Sequence, residues 1–159
     1  MKHLLISMTA MLFVNAASGC SKDDDAVSNE TISTNTNPNT NNSSNKMKIT
    51  VGSSVFTASF YDNVTANAFK AMLPLTINMN ELNDNEKYYD FSTSLPTNSS
   101  NPGSVQNGDI MLYGNKTLVL FYQSFSTSYS YSRIGKIDDA SGLAAALGSG
   151  NVSVKFELN

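Results

Sequence analysis

The chain has 159 residues, of which 40% are hydrophobic and only 14% charged, enough for one domain and little else. Its net charge of −3 lacks the basic surplus of a nucleic-acid binder. One His (His3), one Cys (Cys20) and one Arg (Arg133) exclude a disulfide framework, a Cys/His zinc centre and a His-based nucleophilic triad in the folded body.

Lys2 and His3 make a short basic start, Leu4 to Val14 is apolar, and Ala16-Ala17-Ser18-Gly19 leads to Cys20. That order predicts a secretory leader over 1–19, too short to cross a membrane as a helix. Ala17-Ser18-Gly19-Cys20 resembles the lipobox of bacterial lipoproteins, and the resemblance implies that Cys20 becomes the acylated N-terminus. Several acyl chains, palmitate among them, would anchor the protein stably where one chain would not. Ser21-Lys22-Asp23-Asp24-Asp25 resembles the export signal of some Gram-negative surface lipoproteins; the alternative is a solvated acidic linker. The expected location is therefore a bacterial cell-envelope membrane, the outer membrane first, with its outer leaflet and the periplasm both open.

Sixteen of the 25 residues from Ser21 to Asn45 are Ser, Thr or Asn. Such a segment buries too little apolar surface to order itself, so residues 20–45 read as a lipidated Cys and its tether. As a coil the tether spans about 25–30 Å, and fully extended about 75 Å.

The domain expected over 46–159 is patterned mostly with period two. Met47, Ile49 and Val51 alternate with polar residues, and Gly52-Ser53-Ser54 turns the chain into Val55 to Phe60 as a hairpin. Asn63 to Leu73 changes to helical spacing, with Val64, Ala68, Ala71 and Met72 on one face and Asp62 or Asn63 as cap. Pro74 ends that helix. Leu75, Ile77 and Met79 alternate as a strand, and Glu86 to Phe91 follows with Lys87, Tyr89 and Phe91 on one face. Ser92 to Gln106 reads as a loop. Asp109–Tyr113 and Thr117–Tyr122 form a hairpin around Gly114-Asn115, and Ile134–Ile137 is a further strand. Asp139 or Ser141 caps a short helix containing Leu143 to Leu147, which Gly148 or Gly150 ends. Val152, Val154, Phe156 and Leu158 form the last strand. Many short strands with one polar face predict a mainly β fold, a closed antiparallel barrel or a sandwich.

The order of these elements resembles the cyclophilin fold. Thr65 to Leu73 is similar to that family's first helix, and Arg133 to Phe156 follows its closing order of strand, short helix and strand. Leu73-Pro74-Leu75, Gly108 to Tyr113, Leu118 to Gln123 and Ser124 to Gly135 look like the small bacterial cyclophilin-like domains. The resemblance covers nearly all of 47–158. It implies a closed antiparallel barrel of about eight strands, capped by two short helices. Cyclophilins proper imply proline isomerisation, in which an Arg from a mid-chain strand polarises the amide beside Phe, Gln and His. Leu75 to Gln106 contains no Arg, and Arg133 cannot be carried over to that position.

Two candidate sites stand out. In Phe121 to Arg133, Tyr and Ser alternate without a charge until Arg133. Tyr offers contact area at low entropy cost and Ser adapts its hydrogen bonds, which suits a binding surface. The alternative is that Phe121 and some tyrosines fill the barrel, with hydroxyls at its mouth. Glu86 with Tyr88 is the second: a carboxylate raised by burial can act as a base, and the alternative is an exposed strand-start carboxylate beside Lys87. No metal ligand set and no cofactor are expected.

The first functional expectation is a membrane-tethered, non-catalytic module that binds a small ligand, a peptide or a glycan. Its contacts would be Glu86, Tyr88, Tyr122, Gln123, Phe125, Tyr129, Tyr131 and Arg133, the last pairing with an anionic group. The alternative is a divergent peptidyl-prolyl isomerase assisting exported proteins. A third is an interaction module whose edge strands recruit a partner.

Overall fold

The structure is a computed structural model, and it describes residues 45–159. The expected leader, Cys20 and all of the tether except Asn45 lie outside the described residues. The chain runs β1 (Lys46–Val51), β2 (Ser54–Phe60), α1 (Val64–Lys70), β3 (Leu75–Leu82) and β4 (Glu86–Asp90). It continues through β5 (Ser104–Val105), β6 (Asp109–Tyr113), β7 (Thr117–Phe121) and β8 (Phe125–Ser126). β9 (Tyr131–Ile137), α2 (Leu143–Leu147) and β10 (Val152–Leu158) complete it. Eight strands close into an antiparallel barrel in the order β1-β10-β3-β4-β7-β6-β9-β2, while β5 and β8 pair separately. Closure leaves the barrel no free edge strand.

Alternation decides which side chains fill the barrel. Met47, Ile49 and Val51 of β1, Ile77 and Met79 of β3, and Val154 and Phe156 of β10 point inward and are buried. β6 and β7 are buried on both faces, which is why they read as unbroken apolar runs. Ile110, Leu112, Leu118 and Leu120 face the barrel core. Met111, Val119 and Phe121 face outward into a second cluster with Val105 and Tyr131.

The helices close opposite ends. Asn63 caps α1 as expected, its Oδ1 accepting the Ala66 N–H at 2.9 Å. The buried face of α1 differs from the expected one: Thr65, Ala66 and Phe69 are buried, whereas Val64 is 56% exposed. The reason is packing. Phe69 packs edge-on against Phe156 at 5.6 Å and tilted against Phe91 at 6.4 Å between centroids, which turns the Thr65–Ala66–Phe69 face onto the barrel. At the other end Leu143 and Leu147 of α2 enter the core. Gly142, at φ 77°, precedes α2 in place of the expected Asp139 or Ser141 cap; Asp139 instead accepts the Ser141 N–H in the turn before it.

Two loops differ from the sequence expectation. Tyr113 pairs with Thr117, so the β6–β7 connection has three residues, Gly114-Asn115-Lys116, with Gly114 at φ 57°. The stretch Ser92–Gln106 contains β5 and lies over the barrel. Ser100 and Tyr131 exchange backbone hydrogen bonds at 3.0 Å, and Ser104 and Val105 pair with Ser126 and Phe125. β9 therefore starts three residues earlier than expected, and a bulge at Ile134 separates its Arg133–Met111 pair from Gly135–Ile110.

Candidate functional site

The flap formed by β5, β8 and their flanks leaves a groove beside it on the outer barrel wall. The groove encloses about 530 Å³, within the range of small-ligand sites. Its floor follows from register. Glu86, Tyr88 and Asp90 alternate along β4 and point outward; they pair across to Phe121, Val119 and Thr117 of β7. Thr117 pairs in turn with Tyr113 of β6, and Tyr113 with Tyr131 of β9. The flap supplies Phe125 to Tyr129 as one wall, and the β3–β4 turn supplies Leu82, Asn83 and Asn85 as the other. Asn83 and Asp84 both adopt left-handed φ, 57° and 56°, which makes that turn tight.

Aromatic rings hold the flap wall together. Tyr113 meets Tyr129 at 5.8 Å and Tyr131 at 5.7 Å; Phe121 meets Phe125 at 5.8 Å and Tyr131 at 5.5 Å. These edge and tilted contacts fix the ring positions while Tyr129 stays 61% exposed. The polar groups of the groove are carboxylates, hydroxyls and the side chains of Asn83 and Asn85. Burial, then repulsion from Glu81, pushes the Glu86 carboxyl above the ordinary range. Among the described residues Glu86 makes no hydrogen bond or ion pair. The Oδ1 of Asn85 has no donor among the described residues and is sealed from solvent. Asp90 accepts the Thr117 hydroxyl at 2.6 Å. No Lys or Arg lines the groove.

Five of the eight expected contacts meet there: Glu86, Tyr88, Phe125, Tyr129 and Tyr131. Three do not. Tyr122 continues the inward phase of β7 and lies in the barrel core, 6% exposed. Gln123 is exposed outside the groove. Arg133 points from β9 toward α1, where its guanidinium stacks 5.6 Å from the Tyr61 ring and donates to the Tyr61 hydroxyl at 3.3 Å.

A polar cluster inside the barrel was missed by the sequence reading. Lys87 is fully buried and spends all three ammonium protons: on Glu81, on the Gly148 carbonyl at 2.7 Å and on the Gly150 carbonyl at 2.7 Å. Its Nζ also lies 5.3 Å from the Tyr122 ring centroid. Tyr122 donates its hydroxyl proton to Glu81 at 2.8 Å. Burial raises the Tyr122 hydroxyl far above its usual range, and the Glu81 carboxylate adds to it. Burial also opposes ionisation of Glu81, but the bonds from Lys87 and Tyr122 and the Asp84 N–H outweigh it and hold that carboxyl low. The cluster ties the end of α2 to the barrel wall. A signal was present: Lys87 shares a strand face with Tyr89 and Phe91, and such a face points inward.

The model of the cyclophilin-like family matches residues 49–157. The chain belongs to the cyclophilin-like family. A hypothetical protein from Archaeoglobus fulgidus, solved in solution, shares the fold with a TM-score of 0.55 at 22% identity. The alignment covers 74% of this chain and 96% of the archaeal one. No curated protein matches the chain significantly. This cyclophilin-like domain carries its groove on the outer wall, over β4, β7 and β6, and fills the barrel interior with side chains.

Proposed function

We propose that this cyclophilin-like domain is a non-catalytic binding module, held at a bacterial envelope membrane by an acylated Cys20. The observation that carries the binding reading is the groove itself. It lines about 530 Å³ with five aromatic side chains and two carboxylates, of which Glu86 has no partner among the described residues. Isomerisation draws on a preorganised donor aimed at the amide, and the removal of one such donor costs about 10²–10³ in rate in other enzymes. The groove offers hydroxyls but no guanidinium or ammonium, and Arg133 is engaged with Tyr61 on another face. The membrane part of the proposal rests on Ala17-Ser18-Gly19-Cys20 and on the polar stretch after it.

The test uses the chain with Cys20→Ala, labelled at its methyl groups. A ligand screen by NMR covering neutral, anionic and cationic small molecules, sugars and short peptides should shift Val119 and Leu82 before any core methyl. Silence of those methyls toward every class refutes the binding reading. A proline-limited refolding assay run beside it should show no acceleration, and a strong acceleration would replace binding by catalysis.

A further inference from the structure

We infer that the groove takes a small primary amine in its ammonium form, an inference that rests on the binding reading above. Three independent features converge on that chemistry. The first is charge: Glu86 and Asp90 stand at the two ends of the β4 row, and no cationic side chain lines the groove to neutralise them. The second is hydrogen bonding. Glu86, half-buried at the groove, has no partner among the described residues. A carboxylate bonds most strongly to a charged donor, so a cationic ligand rich in donors gains most here. A primary ammonium brings three donors and no acceptor, as the lysine head does. The third is the wall. Tyr88, Tyr113, Tyr129 and Tyr131 with Phe125 surround the space between the two carboxylates, and aromatic faces attract a cation.

The barrel interior shows the same chemistry in use within this chain. There an ammonium, that of Lys87, sits among a carboxylate, two carbonyl oxygens and a tyrosine ring. The groove presents carboxylates and tyrosine rings with no ammonium among its lining residues. Anions are disfavoured by Glu86 and Asp90, and neutral apolar ligands would leave the Glu86 carboxylate without a partner. The occupant that satisfies charge, donors and ring faces together is an alkylammonium ion.

The experiment compares three probes of equal length, n-pentylammonium, n-pentanol and pentanoate, on the chain with Cys20→Ala at neutral pH and low salt. Methyl shifts of Val119 and Leu82 report occupancy. The ammonium should bind at least tenfold more tightly than the alcohol, and pentanoate more weakly than either. Glu86→Gln should remove most of the advantage of the ammonium over the alcohol, while its far-UV and methyl spectra stay native. Tyr129→Ala should weaken the ammonium several-fold without altering the fold, since Tyr129 is exposed. Equal binding of alcohol and ammonium, preference for pentanoate, or an unchanged ammonium preference in Glu86→Gln would each overturn the inference and leave the binding module standing. Silence toward all three probes, with a sugar or peptide shifting the same methyls, would overturn it in the same way.

Discussion

Replacing Lys87 by Met removes a charge of similar length and volume from the barrel interior and leaves three acceptors behind. Lys87 is 0% exposed, and its three protons go to the Glu81 carboxylate and to the carbonyls of Gly148 and Gly150. The Glu81 side chain is 16% exposed, so its carboxylate cannot recover full hydration when the ammonium is gone. Breaking a buried pair from one side costs about 3–5 kcal/mol. The two carbonyls belong to exposed glycines at the end of α2 and regain water, so they add little. A loss of that size is a large part of the usual 5–15 kcal/mol of a domain and should lower Tm by roughly 12–20 °C. Urea titration should show the fall at an unchanged slope, and hydrogen exchange should rise first at Leu147–Gly150, which the ammonium ties down. The double variant Lys87→Met with Glu81→Gln removes both charges and should recover at least half of the loss. The pH dependence follows from Glu81. Its folded carboxyl lies below its ordinary value of 4.5, so its stabilisation is present above that value and disappears as pH falls through the lower folded one. Lys87→Met should therefore flatten the acid limb of the stability curve. A loss below about 1 kcal/mol, or a double variant no more stable than the single one, would refute the reasoning, because both follow from the uncompensated charge.

Gly135→Ala places a Cβ 2.8 Å from the Ser59 carbonyl oxygen on the neighbouring strand, where the backbone cannot yield; a loss of about 1–3 kcal/mol, seen as a lower urea midpoint, is expected. Glu86→Gln should raise Tm at pH 7 by about 1–3 °C, a few tenths of a kcal/mol in a domain of this size, because it removes a desolvated charge with no partner. Since burial raises the folded Glu86 carboxyl, wild-type stability falls as pH rises through it, and the gain should vanish at pH values where Glu86 is protonated in both states. Cys20→Ala should move the protein from the membrane to the soluble fraction on cell fractionation, and mass spectrometry of the wild type should find an acylated Cys20 at the N-terminus.

What the sequence by itself determined is local. The β1–β2 hairpin, the Asn63 cap, the strand containing Lys87, Tyr89 and Phe91 and the closing strand Val152–Leu158 all follow from short-range periodicity and turn chemistry, and those elements lie where the pattern puts them. Their number and pattern left a barrel or a sandwich open, and the resemblance to the cyclophilin fold pointed to the barrel. The tertiary structure decided everything that depends on which element covers another. α1 turned Phe69 inward and left Val64 outside because the Phe69 ring packs on Phe156 and Phe91, contacts absent from the helix's own spacing. The two-residue strands β5 and β8 carry almost no pattern of their own; they exist because Ser104–Val105 and Phe125–Ser126 meet over the outward faces of β6 and β7. That flap separated the aromatic stretch into parts that one sequence run had joined. Tyr122 went to the core as the next inward residue after Leu118 and Leu120, while Tyr131 and Arg133 share the outward face of β9, Tyr131 beside the groove and Arg133 two residues further along, beside Tyr61. Burial of Lys87 was decided the same way: an ammonium is tolerated inside only where distant residues, Glu81 from β3 and the Gly148 and Gly150 carbonyls after α2, arrive together to satisfy it.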